Sequence, residues 1–147
     1  MGDLLLLVTI AGRCAAIPGA AVQSVVELDQ VAPVPLAQPH VAGLTALRSR
    51  ALTVIDTRAA IGLCPTDWPT EGRAAVVEVD GHAYALLVDR VVDVAEALSA
   101  PAPSEASLGR NWDDVAEGLI ETAAGPAVLV SIPCLVAGPD GAQARAA

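Results

Sequence analysis

The chain has 147 residues, 54% apolar, 17% charged and 2% aromatic, with no Phe, no Lys, one Tyr and two Trp. That aliphatic fraction excludes intrinsic disorder, its length suits one compact domain, and the scattered charges interrupt any apolar run long enough to cross a membrane as a helix. A net charge of -9 and so few aromatic rings leave neither the clustered cations that neutralise phosphate nor the platforms that stack bases, so a nucleic-acid binder is set aside.

In chain order, Met1-Gly2-Asp3 places an acid before the apolar run Leu4 to Val8, where a secretory signal carries positive charge. The run reads as a first strand of a cytoplasmic protein. Val-, Leu- and Ile-rich segments then recur between Gly and Pro punctuation, which predicts an all-β barrel or sandwich. Strands are expected at Leu4–Ala11, Arg13–Ile17, Val22–Leu28, Val41–Arg48 and Ala51–Asp56, then at Arg73–Val79, His82–Val88, Val91–Leu98, Ala116–Thr122 and Pro126–Ile132. Val22–Leu28 also fits helical spacing. Asp80-Gly81 predicts a tight two-residue hairpin, and Gly12 with Arg13 a second. Asp56 followed by Ala59, Ala60 and Gly62 predicts a helix of at most two turns. Pro33, Pro35 and Pro39 make 32–40 an extended connection, while 64–72 and 99–111 read as linkers and 138–147 as a frayed tail.

At an offset of 69 residues Val8 meets Val77, Ile10 meets Val79, Gly12 meets Gly81, Ile17 meets Leu86, Val22 meets Val91, Val25 meets Val94 and Glu27 meets Glu96. At an offset of 75, Gly43-Leu44 meets Gly118-Leu119, and Val54-Ile55 meets Leu129-Val130. Two similar halves account for these matches, with approximate bounds 1–63 and 73–137, joined by 64–72, and strands open to exchange between them. A half of this size is marginal as an independent core, so the halves are expected to share a hydrophobic seam, and the groove along it becomes the natural binding surface.

The inventory for catalysis is thin. His40 on a proline-flanked loop and His82 after a turn are both expected to be exposed, and Cys14, Cys64 and Cys134 are too far apart for a metal pair or disulfide framework and read as small buried hydrophobes. Asp113 and Asp114 beside Trp112 read as solvated or capping acids. Without Lys there is no phosphate-loop lysine or Schiff base, and no catalytic residue, metal site or cofactor is assigned. A small β-barrel enzyme or ligand-binding domain using His40 or His82 stays open as an alternative. A generic SH3-like peptide binder is a further alternative, although Tyr84, Trp68 and Trp112 are the only aromatics from which it could line a proline-binding groove.

The stretch from Gly43 to Arg58 resembles the signature of the CheW family of bacterial chemotaxis coupling proteins. There the run reads Gly-x-x-Asn-Leu-Arg-Gly, three variable residues, then Pro-Val-Ile-Asp-Leu-Arg. Gly43, Leu47, Arg48, Val54, Ile55, Asp56 and Arg58 match it; Ala46, Ser49, Thr53 and Thr57 depart from it. Val22 to Leu28 with Glu27, the proline-spaced 33–39, and Ala85-Leu86-Leu87-Val88-Asp89 with Val91 and Val94 resemble further family segments in the same order, with Ala85 in place of a glycine. The match continues through Gly118 to Ile132, whereas 132–135 departs from the acidic-capped terminal helix usual there.

This resemblance implies a mostly β fold of two five-stranded SH3-like β-barrels sharing a hydrophobic core, with one or two short helices. It implies a scaffold without turnover that joins the cytoplasmic signalling tips of chemoreceptors to the regulatory domain of a CheA-type histidine kinase, with rings and arrays as assemblies, at the inner face of the membrane and without inserting in it. By resemblance, Glu27, Arg48, Val25, Gly43, Val54 and Val94 are the candidate receptor-binding residues; no position is assigned to the kinase. For Arg48 an ion pair with Glu27 is the competing role, for Glu27 solvation, for Gly43 a backbone requirement, and for the three valines packing.

Overall fold

Ten strands form in the expected order in a computed structural model that describes residues 4–28, 31–63, 73–102, 112 and 115–138. They are β1 (Leu4–Ile10), β2 (Arg13–Pro18), β3 (Val22–Glu27), β4 (Val41–Leu47), β5 (Arg50–Asp56), β6 (Arg73–Val79), β7 (His82–Leu87), β8 (Arg90–Glu96), β9 (Ala116–Thr122) and β10 (Gly125–Val130). The segment that also fitted a helix is strand β3. Helix α1 (Thr57–Ala60) starts where Asp56 accepts hydrogen bonds from the amides of Arg58 at 3.0 Å and Ala59 at 3.4 Å, as the capping pattern predicts. The expected linker at 64–72 lies outside the described residues.

The strands make two five-stranded sheets, ordered β8-β1-β2-β10-β9 and β3-β6-β7-β5-β4. Advancing each strand number by five, with β6–β10 returning to β1–β5, converts one order into the other. The pairing types obey the same rule: β2 runs parallel to β10 in one sheet, and β7 parallel to β5 in the other. The internal similarity of the sequence is therefore a similarity of topology. The sheets do not follow the chain halves, because β1 and β2 join β8–β10 while β6 and β7 join β3–β5.

The mostly β layout of two five-stranded sheets agrees with expectation, with one difference: the sheets are not closed into barrels. Strands β3 and β8 do not pair with β4 and β9 as ladders; among the described residues the isolated bridges Ala32↔Leu44, Ala97↔Thr122 and Ala102↔Leu119 cross the gaps. These crossings need glycine. Gly43 and Gly118 have φ of 153° and 150°, and a Cβ at Gly43 would overlap the Ala32 carbonyl while one at Gly118 would lie 2.7 Å from the Ala102 carbonyl oxygen. Leu44 and Leu119 then donate to those same two carbonyls, at 2.8 and 2.7 Å.

Three apolar clusters follow from the period-two alternation of the strands. The largest, between the sheets, holds Leu6, Val8, Ile10 and Ile17 of one sheet against Ala75, Val77 and Leu86 of the other. This is the shared seam. Each sheet also fills its other face: Leu5, Leu7, Ala16, Ala127 and Leu129 in the first, and Ala74, Val76, Ala85, Leu52 and Val54 at the matching offsets in the second. Fully burying an aliphatic side chain stabilises by about 1.5–3 kcal/mol, so the seam is a principal source of cohesion.

Local readings needed correction at three places. In the first hairpin the positive φ angles belong to Ala11 (52°) and Gly12 (81°), not to Gly12 and Arg13, because the register pairs Ile10 with Arg13. Cys14 is exposed rather than buried, because it sits at the hairpin end of β2, before the buried stretch from Ala15 to Ile17 begins. His40 is buried, at 2% exposure, beneath a helical segment at 132–138 whose Val136 carbonyl lies 2.8 Å from its Nε2. Ser131 opens that segment, accepting from the Cys134 amide through its hydroxyl at 3.4 Å, with Pro133 in the first turn and Leu135 fully buried. Trp112 also reaches the seam, with the Arg13 guanidinium 5.4 Å from its ring centre.

Candidate functional site

An apolar groove of about 1160 Å³ opens where the start of β1, the chain from Pro18 into β3, the end of β8 and residues 97–101 converge. Its floor reaches the buried Leu5, Ile120 and Leu129, and its rim carries side chains that folding leaves in water: Leu4, Val25, Val94 and Leu98 are 59%, 41%, 55% and 64% exposed. Four large aliphatic residues gathered around one opening form a patch with a use, unlike singly scattered surface leucines. Among the described residues no charged side chain lines the groove; its polar lining side chains are Gln23, Ser24 and Ser99.

The topology explains the convergence. Val25 pairs with Ala75 and Val94 with Leu6, both of them members of the seam cluster, so each valine faces the junction of the sheets from an outer strand. Because β3 and β8 are edge strands, no further strand covers these residues.

The other candidate residues separate. Glu27 is exposed at the end of β3, with its Oε1 3.8 Å from Arg73, so its cationic neighbour is Arg73 and not Arg48. Arg48 is exposed at the β4–β5 hairpin tip, where Arg48 and Ser49 have φ of 51° and 67°. The registers Val22↔Val77, Val77↔Tyr84 and Thr53↔Tyr84 put that tip at the Val22 end of the sheet, whereas Glu27 pairs with Arg73 at the opposite end. Val54 is completely buried inside the second sheet, and Gly43 is buried against Ala32. Sequence reasoning did not find Leu4, Leu98 or Ala97 as groove residues, since only the pairing of β1 with β8 brings them together.

The groups capable of chemistry do not converge here. His40 spends Nε2 on the Val136 carbonyl under 132–138, and His82 is exposed in the β6–β7 hairpin. Desolvation raises the Cys14 thiol pKa, which favours the protonated, less nucleophilic form. Among the described residues no group of three or more His, Cys, Asp or Glu side chains could hold a metal ion, and no helix is long and apolar enough to cross a membrane. Asp113 and Asp114 lie outside the described residues, as does Cys64.

The family model for the CheW-like domain matches residues 4–137. The chain belongs to the CheW-like family. Its members are non-enzymatic scaffold proteins, in keeping with a groove built for contact. Among solved structures, the crystal structure of the scaffolding protein TtCheW from Thermoanaerobacter tengcongensis is similar, with a TM-score of 0.72 and 20% identity over 90% of this chain and 86% of that one. A search of curated protein sequences gave no match. The CheW-like fold thus accounts for the two sheets, the shared seam and the few helices. Of the four departures from the family signature, Thr57 has a visible role: its hydroxyl donates to the Leu87 carbonyl at 2.7 Å, tying α1 to β7.

Proposed function

We propose that this chain is a signalling adaptor in a bacterial chemotaxis or chemotaxis-like pathway, seating the helical signalling tip of a chemoreceptor in the groove and joining it to the regulatory domain of a CheA-type histidine kinase. The observation that carries this reading is the exposed aliphatic rim, Leu4, Val25, Val94 and Leu98, around an uncharged groove at the junction of two CheW-like sheets. Apolar burial in such a helix-in-groove contact supplies affinity, and charges beyond the rim supply orientation. Arg48 suits the orienting role, because it is a planar, permanently charged fork on a hairpin tip, able to engage carboxylates and carbonyls of a helix. Val54 and Gly43 serve by keeping β4 and β5 in register beneath that tip. The adaptor works at the cytoplasmic face of the membrane through its receptor, and rings or arrays multiply contacts that are individually weak.

Co-purification with a receptor signalling fragment and with the kinase regulatory domain tests the reading. Both are expected to be retained. Arg48→Ala weakens receptor binding about tenfold and changes unfolding free energy by less than about 0.5 kcal/mol. Equal loss of binding and stability would return Arg48 to a structural role, and failure of the unaltered chain to retain either partner would end the proposal.

A further inference from the structure

The two sheets fill many matched positions of their inner faces alike, and they differ clearly at one strand end. In the second sheet the residue after β3, Leu28, is buried at 8% exposure and belongs to the inner cluster with Leu52, Val54 and Ala74. Its counterpart at the 69-residue offset is Ala97, the residue after β8, which is only partly buried and lines the groove. The offset is secure there, because Val25 and Val94, then Glu27 and Glu96, occupy matching places on the same two strands. Where a leucine closes one sheet, an alanine leaves the other open down to Leu5, Ile120 and Leu129.

We infer that the opening beside Ala97 is an anchor pocket, into which a partner protein inserts an aliphatic side chain of leucine size, supplying in trans what Leu28 supplies within the chain. The inference rests on the adaptor reading and specifies the partner's contact chemistry. Charge narrows the occupant. Among the described residues the walls hold no ionisable side chain, so an inserted carboxylate or ammonium would lose hydration there without gaining a partner. A neutral occupant fits these walls, whose polar side chains among the described residues are the uncharged Gln23, Ser24 and Ser99. A groove of about 1160 Å³ exceeds one side chain, which fits a helix that brings the anchor together with its neighbouring turns.

Ala97→Leu tests this by closing the pocket from within, with Ala97→Val as a smaller plug should the leucine disturb folding. The probe is the receptor signalling fragment, titrated into each protein while the methyl resonances of Leu5, Ile120 and Leu129 are followed by NMR. In the unaltered chain these buried methyls are expected to shift on binding. Ala97→Leu is expected to keep or raise the melting temperature, lose at least tenfold in affinity and abolish the shifts, with Ala97→Val intermediate. Normal affinity in a folded Ala97→Leu protein, or binding by the unaltered chain without shifts at these methyls, would overturn the anchor and leave the adaptor reading standing. Absence of binding by the unaltered chain would overturn both.

Discussion

The two sheets are near copies in topology and differ in how their ends are finished. One is plugged by Leu28 and carries the Arg48 hairpin; the other ends in Ala97 and opens into the groove. Cohesion is shared between them, because the seam draws residues from both, whereas the groove reaches down to Leu5, Ile120 and Leu129 of the first. A fold of two matching sheets can thus keep its stability symmetric while opening a groove on one side, provided that the changed residues sit at a strand end rather than in the seam.

The largest effects should fall on the symmetric part. Ile17 and Leu86 are seam counterparts, both with no exposed surface. Replacing either with Ala should cost about 2–5 kcal/mol, by similar amounts in the two sheets. Urea denaturation of the two variants checks this; a gap of several kcal/mol between them would mean that one sheet carries the seam. Leu28→Ala comes next, with a loss of about 2 kcal/mol, because the site lies at a strand end where neighbours can relax. The same variant should create in the second sheet an opening like that of the first, visible as new solvent exchange at the amides of β3 and β6. A stability unchanged by Leu28→Ala would remove the plug from the comparison. Smallest is Ser49→Gly at the hairpin tip. Relieving a left-handed backbone in a residue with a Cβ should raise stability by about 1 kcal/mol without altering receptor affinity, provided that Arg48 keeps its place; thermal unfolding and a binding titration report the two quantities.

Much of the fold is legible in the sequence, and the reasons are local. Asp80-Gly81 has the positive φ angles that its hairpin demands, and Asp56 caps α1 through its own carboxylate. Strand segments stand out because the aliphatic runs are bounded by Gly and Pro, and even the matched packing of Ile17 and Leu86 follows from the 69-residue offset. Long-range placement is hidden. Nothing near His40 announces that 132–138 will cover it, since that contact spans 96 residues. Arg48-Ser49 turns through positive φ without a glycine to mark it. Arg48 and Glu27, plausible partners on paper, end at opposite ends of one sheet because β5 reaches β7 in parallel rather than lying beside β3. The groove itself arises from β1 pairing with β8, a choice that no local pattern records.

On the proposed function, a partner helix lies in the crease between the sheets. Titrating a receptor signalling fragment into methyl-labelled protein and mapping the perturbed resonances tests it most directly. The largest shifts are expected at Leu4, Val25, Val94 and Leu98. Shifts centred instead on the exposed Val34, Leu36 and Leu44, on the far edge of the second sheet and the loop before it, would contradict it.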